Sequence, residues 1–324
     1  MQVTYIQAIN QAMDEEMARD ENVMLLGEDV GVLGGAFKAT EGLHAKFGSD
    51  RVVDTPIAES LIVGAGVGLA IQGMRPILEM QFIDFISCGF DQIVNMAATL
   101  RYRHGGQVSC PIVVRGPCGA GVHGGLYHSQ NPEAWFFHVP GLKVVAPATA
   151  YDAKGLLKSA IRDDDPVIYL EHKFLYRRIK EDIPDTEYVV PIGKAALRKE
   201  GRDLSVITYG SPVHAVMKAA KDMAGEIDIE VIDLRTILPL DWKTIRASVA
   251  KTGKALIVHE ARRTGGIGAE VAARIAEELF ESLDGPVVRV ASKDTHNAFA
   301  PTMEDYILPN QEKITEAIRQ LAAY

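Results

Sequence analysis

Apolar positions along the chain alternate between two periods, and the alternation outlines a fold. Tyr5 to Arg19 carries them three and four apart, the spacing of an amphipathic helix. Val23-Met24-Leu25-Leu26 is then apolar without a break up to Gly27, as a short buried strand would be. Arg51-Val52-Val53 and Pro76 to Gln81 read as further strands, and Gly89 to Tyr102 as a helix. Pro111 to Arg115 reads as a strand leading into a glycine-rich loop, Gly116 to Gly125. Leu142 to Ala146, Tyr151 to Arg162 and Val167 to Leu170 continue as strand, helix and strand. Strands alternating with helices predict an α/β fold with a doubly wound parallel sheet. Ligands in such sheets gather where strands end, which singles out Gly27-Glu28 and the loop after Arg115.

The pattern lapses between Lys173 and Gly201, a polar stretch with Pro184, Pro191 and Gly193. A domain boundary belongs there, dividing the chain into residues 1–185 and 186–324. A second α/β series follows, with strands at Leu204 to Tyr209, Ile227 to Asp233, Ala255 to His259 and Val287 to Val290. Its helices are Pro212 to Met223, Trp242 to Ala250 and Ile267 to Glu281. Gly64-x-Gly66-x-Gly68 and Gly265-Gly266-x-Gly268 lack the strand context and spacing of a dinucleotide loop. Close backbone packing is the better reading of both.

Composition narrows the classes. The 324 residues are 47% hydrophobic and 24% charged, with a net charge of −9, which argues against broad nucleic-acid binding. The longest apolar run, Leu61 to Gln72, is too short to span a bilayer and is broken by glycines, so no membrane partner is expected. Asp14, Glu15 and Glu16 come early, with no basic apolar leader before them. Cys88, Cys110 and Cys118 are odd in number and lack metal-ligand spacing, which fits reduced thiols. A cytoplasmic place is expected, or a mitochondrial matrix one for a processed eukaryotic chain.

One carboxylate stands out. In Asp54-Thr55-Pro56-Ile57-Ala58-Glu59-Ser60, Thr55 can cap a helix and Pro56 suits its first position. Glu59 then opens a turn whose other residues are almost all apolar. Burial would raise its pKa and the helix N-terminus would lower it. Such a group can share a proton with a ring nitrogen; the plainer alternative is a surface Glu favouring the helix dipole. Glu28 follows a buried strand at once, so it either accepts bonds from loop amides or serves a site. His128 lies beyond a run of glycines and is the residue type most able to exchange protons near neutrality. A loop histidine that bonds backbone is its plainer reading, and His104, His123, His138 and His172 are close in sequence.

Asp54 to Glu59, with Gly27-Glu28-Asp29-Val30-Gly31 before it and His128-Ser129-Gln130 after it, resembles the β subunit of thiamine diphosphate-dependent 2-oxo acid dehydrogenases, the E1 component. Gln81-Phe82, Arg101-Tyr102-Arg103, Pro140 to Val145, Asp152 to Leu157, Asp233 to Thr236 and Lys251-Thr252-Gly253 carry the resemblance through the whole chain. It implies a thiamine diphosphate pyrimidine-binding domain followed by a transketolase C-terminal-like α/β domain. It implies that Glu59 meets the aminopyrimidine ring nitrogen, favouring the tautomer that lets the cofactor act as its own base. Glu28 would lie near the cofactor, Gln81 would bond a ring edge and Phe85 would stack on a ring face. His128 would assist transfer of the acyl group to the lipoyl arm.

The resemblance also implies what the chain lacks. Thiamine enzymes hold the diphosphate through Mg²⁺ bound at a Gly-Asp-Gly segment, and this sequence has none. An E1 α subunit is therefore expected to hold Mg²⁺ and the diphosphate, in an α2β2 heterotetramer that serves an E2 acyltransferase core and its lipoyl domain. Some relatives bind a monovalent cation such as K⁺ through backbone oxygens, and the matching positions are Ile112, Ala160, Asp163 and Asp165. Gly124 to Ala134 and Gln81 resemble branched-chain enzymes more than pyruvate ones. Gln7 to Gln11 resembles pyruvate enzymes about as well, and acetoin-cleaving relatives stay open. The rival readings are half of a transketolase-like enzyme and a non-catalytic nucleotide-binding α/β subunit.

Overall fold

The computed structural model describes residues 2–324. In chain order the elements are β1 (Gln2–Thr4), α1 (Tyr5–Arg19), β2 (Val23–Gly27), α2 (Leu43–Phe47), β3 (Val52–Asp54), α3 (Glu59–Ile71), β4 (Arg75–Glu79), α4 (Ala98–Arg103), β5 (Val113–Cys118), α5 (Glu133–Phe137), β6 (Lys143–Val145), α6 (Ala150–Arg162), β7 (Val167–His172), β8 (Lys180–Asp182), β9 (Ala196–Lys199), β10 (Leu204–Thr208), α7 (Pro212–Asp222), β11 (Ile229–Asp233), β12 (Thr236–Leu238), α8 (Trp242–Thr252), β13 (Ala255–Arg262), α9 (Ile267–Glu278), β14 (Val288–Ser292), α10 (Pro301–Ile307) and α11 (Gln311–Ala322). They form two compact units. One comprises residues 1–118 with 135–192, and the other 119–134 with 193–324. Among the described residues, no helix is long and apolar enough to cross a membrane.

In the first unit a parallel sheet runs β6-β7-β5-β4-β2-β3. Helices cover both faces, and β4 shows why. Ile77 joins the cluster formed with α1 and α6, including Ile9, Met13 and Leu157. The next residue, Leu78, points the other way, because successive strand side chains alternate faces. There it meets α3 at Gly66, where an added Cβ would lie 2.5 Å from Leu78 Cδ1. Gly66 therefore performs the close packing expected of the glycine series, whereas Gly64 and Gly68 have room. α1 starts at Thr4, whose side chain forms a reciprocal capping box with Gln7.

The second unit has the sheet β14-β13-β10-β11-β9, parallel except for β9. Val206, Val231 and Val258 pack against α7 and α11 in its core. Asp241 caps α8 and Asn310 caps α11.

Three sequence expectations shift. α3 begins at Glu59 after Ala58, not at Thr55-Pro56. The Thr55 amide is instead donated to the Gly27 carbonyl at 2.9 Å, which ties that segment to β2. β5 continues past Arg115 to Cys118, because Gly116, Pro117 and Cys118 pair with Leu170, Glu171 and His172 of β7. The helix expected over Gly89 to Tyr102 runs from Phe90 to Arg103 behind a 3₁₀ segment ending at Gly89, and its middle, Gln92–Ala97, is π-helical. Gly89, just before it, lies close against α3, since a Cβ there would sit 2.9 Å from Val63 Cγ2.

Candidate active site

Parallel strands deliver their carboxyl ends to one edge, and the register places Gly27 of β2 beside both Asp54 of β3 and Glu79 of β4. Glu28 follows β2 directly. Glu59 is reached by the short link after β3, and Gln81 and Phe85 follow β4. Four of the residues expected at the site thus issue from adjacent strands at one edge of the sheet, the usual place for a ligand in this architecture.

The two acidic motifs are also joined. Asp54 Oδ1 accepts from the Gly31 amide at 2.6 Å. A Cβ on Gly31 would lie 2.4 Å from Asp54 Oδ2, so glycine is needed for that approach. Asp29 adopts a left-handed backbone (φ +57°), and its carboxylate accepts from Gln81 Nε2 at 3.3 Å. Gln81 is thereby aimed along the strand ends.

Glu28 is buried, and burial raises its pKa; the negative fields of Glu59, then Asp29 and Glu79, raise it further. Glu59 opens α3 half-buried, with no side-chain cap before it. Thr55 Oγ1 is buried with no hydrogen-bond partner among the described residues. This edge therefore carries an acid whose pKa burial raises, a second acid at a helix mouth, an amide and a half-buried aromatic. That is the donor and acceptor set a nitrogen heterocycle requires.

Beneath the edge lies a cluster that sequence reasoning missed. Arg115 is fully buried on β5 and holds Glu171 through two bonds, one of them Nη2 to Oε2 at 2.7 Å, and Glu79 through another. The Tyr176 hydroxyl donates to Glu171 Oε2 at 2.7 Å. Burial raises the pKa of Glu79, Arg115 opposes this and Glu171 adds to it. The partners are far apart in sequence, so no local spacing announces the cluster.

His128 lies in the second unit, on the segment 119–134, directly after a short 3₁₀ turn at Gly125–Tyr127. It is half-buried. Gly124 must be glycine, since a Cβ there would come 2.9 Å from His128 Cβ. His123, one of the alternative histidines, is left-handed (φ +59°) and pairs through Nδ1 with Glu304 at 2.7 Å.

Of the four cation positions, Ile112 precedes β5, Ala160 and Asp163 lie at the C-terminal end of α6, and Asp165 precedes β7. The Ile112 carbonyl accepts from the Val167 amide at 3.0 Å, Ala160 from Asp163 at 3.3 Å, and the Asp163 carbonyl from Arg75 Nη2 at 2.7 Å. The Asp163 carboxylate is held by Lys143 at 2.6 Å, and that of Asp165 by Arg101 and Lys143. Any cation here would therefore use the second lone pairs of backbone oxygens.

Residues 1–178 match the family of the transketolase pyrimidine-binding domain, and residues 193–314 that of the transketolase C-terminal domain. A 2-oxoisovalerate dehydrogenase subunit beta of Bacillus subtilis (strain 168) is 53% identical, covering 99% of each chain. A pyruvate dehydrogenase E1 component subunit beta of Staphylococcus aureus (strain COL) is 49% identical, covering 98% of each. In structure the chain is similar to a split-gene transketolase described as an inactive beta4 tetramer, with TM-score 0.80, 21% identity, and coverage of 99% and 98%. It is also similar to a transketolase from Leishmania mexicana, with TM-score 0.72 and 17% identity, covering 99% of this chain and 46% of that one. With full-length identity at this level and both domains matched in order, the chain belongs to the family of 2-oxo acid dehydrogenase E1 beta subunits, built from transketolase-type pyrimidine-binding and C-terminal domains.

Proposed function

We propose that this chain is the β subunit of an E1 component that decarboxylates a branched-chain 2-oxo acid and reductively acylates the lipoyl domain of an E2 core. It would act in a cytoplasmic α2β2 heterotetramer. The gathering of Glu28, Glu59, Gln81 and Phe85 at one sheet edge carries this reading, in a chain 53% identical to a 2-oxoisovalerate dehydrogenase beta subunit. Thiamine diphosphate, when bound, supplies the electron sink for loss of carbon dioxide. Glu59 holds the proton at the aminopyrimidine nitrogen. Glu28, its pKa raised by burial and by the charge of Glu59, lies near the cofactor. Gln81 bonds a ring edge and Phe85 packs on a ring face. His128 delivers a proton to the dithiolane sulfur as its bond breaks.

The α subunit supplies the Mg²⁺ and diphosphate ligands, since this sequence has no Gly-Asp-Gly segment. K⁺ would sit on the backbone oxygens of Ile112, Ala160, Asp163 and Asp165. The test is an assay of the reconstituted α–β pair with 2-oxoisovalerate, pyruvate and acetoin. The highest kcat/KM is expected with 2-oxoisovalerate. A higher value with pyruvate or acetoin overturns the substrate choice, and no turnover of any of them overturns the reading.

A further inference from the structure

The segment 119–134 has little regular structure of its own. Gly119, Gly121, His123 and Gly125 all adopt left-handed backbone. Backbone amides outside helices and strands need acceptors from elsewhere. Two carboxylates of the same unit provide them. Glu260 Oε1, on β13, accepts from the Ala120 amide at 2.7 Å and from Asn131 Nδ2 at 2.8 Å, gripping both ends of the segment with one oxygen. Glu304 on α10, itself buried, accepts from the Gly121 amide at 3.0 Å and pairs with His123. Asn297 Nδ2 donates to the Ser129 carbonyl, and the Gly119 amide to the Gln130 carbonyl at 2.9 Å. His128 stands immediately before these anchored residues.

We propose that Glu260 and Glu304 are positioning residues that clasp the segment 119–134 and thereby set His128 for acyl transfer. The inference rests on the role proposed above for His128. A carboxylate suits the task because hydrogen bonds to a charged acceptor are about twice as strong as neutral ones. Loss of one such bond inside a glycine-rich loop returns the loop to a broad ensemble, and the reacting group loses its placement.

The experiment uses the α–β holoenzyme loaded with thiamine diphosphate and Mg²⁺, with E260A, E260Q, E304A and H128A compared to wild type. Two half-reactions are read, reduction of an artificial electron acceptor and acylation of lipoyl domain, together with hydrogen exchange of peptides covering 119–134. E260A is expected to lose about tenfold more acyl transfer than dye reduction, and the loop amides to exchange about tenfold faster. E260Q keeps an amide oxygen that accepts the same two bonds, and is expected to restore both readouts to within about twofold. E304A is expected to follow E260A, and it carries the test if E260A does not assemble. Unchanged exchange in the alanine variants overturns the clasp. Equal loss of both half-reactions in E260A, beside a transfer-selective loss in H128A, overturns its link to acyl transfer. Equal losses in H128A itself remove His128 from the reaction and with it the positioning role, leaving faster exchange to support a structural clasp alone.

Discussion

Glu133 and His259 make a pH experiment in which two buried groups oppose each other. Glu133 Oε1 accepts from the Tyr209 hydroxyl at 2.8 Å, while Oε2 has no partner among the described residues. Burial pushes its carboxyl up to about 7, its own amide and Tyr209 pull it down, and the charge of Glu260 pushes it up. His259 stacks on Tyr209, with ring centroids 6.3 Å apart, and burial pulls its imidazole down to about 4. The signs follow from which state binds the proton. Between about 4.5 and 7 folded Glu133 keeps a proton that the unfolded chain has lost, so its contribution to stability falls as pH rises, by about 3 kcal/mol in all. Between about 4 and 6.5 unfolded His259 carries a proton that the folded ring refuses, so its contribution rises with pH at about 1.4 kcal/mol per pH unit. From about 4.5 to 6.5 the two slopes cancel.

Glu133→Gln removes one of them without changing volume. The variant is expected to lose stability steadily as pH falls from 6.5 to 4.5, where wild type stays level as far as these two groups govern it. Relative to wild type it gains about 3 kcal/mol on going from pH 4.5 to pH 7.5. Urea unfolding followed by circular dichroism across that range measures the difference, in which other titrating groups cancel. Parallel curves for variant and wild type would refute the reasoning, because Glu133 would then ionise alike in both states.

Glu59→Gln keeps the volume but not the charge at the mouth of α3. Turnover of the α–β enzyme should fall on the order of a hundredfold or more with assembly intact, and cofactor proton exchange near the wild-type rate would refute the assignment. Preparations of the chain shown by mass spectrometry to be free of α subunit should bind thiamine diphosphate weakly and show no decarboxylase activity, because half the contacts are missing. Gly268→Ala should destabilise the second unit by about 1–3 kcal/mol in thermal or urea unfolding, since its Cβ would sit 2.6 Å from buried His259 Nε2.

The order of strands and helices was legible in the sequence because core faces impose apolar periods on contiguous residues. Val23 to Leu26 and Tyr5 to Arg19 needed no partner to be read. Glu28 and Glu59 were legible as unusual for a similar reason, each being an acid at the end of an apolar element. The helix expected over Gly89 to Tyr102 is present from Phe90, but nothing in its local pattern announced the π-helical turn at Gln92–Ala97. The short strands β8 and β9 lie in the stretch read as irregular. β8 owes its existence to pairing with β1, which no local pattern encodes. The junction of Asp54 with Gly31, the Arg115 cluster and the carboxylate grip on the segment 119–134 were decided only in three dimensions. Each joins a charge to a group many residues away, and side-chain period along a chain records which face is buried but not which distant partner satisfies a buried charge.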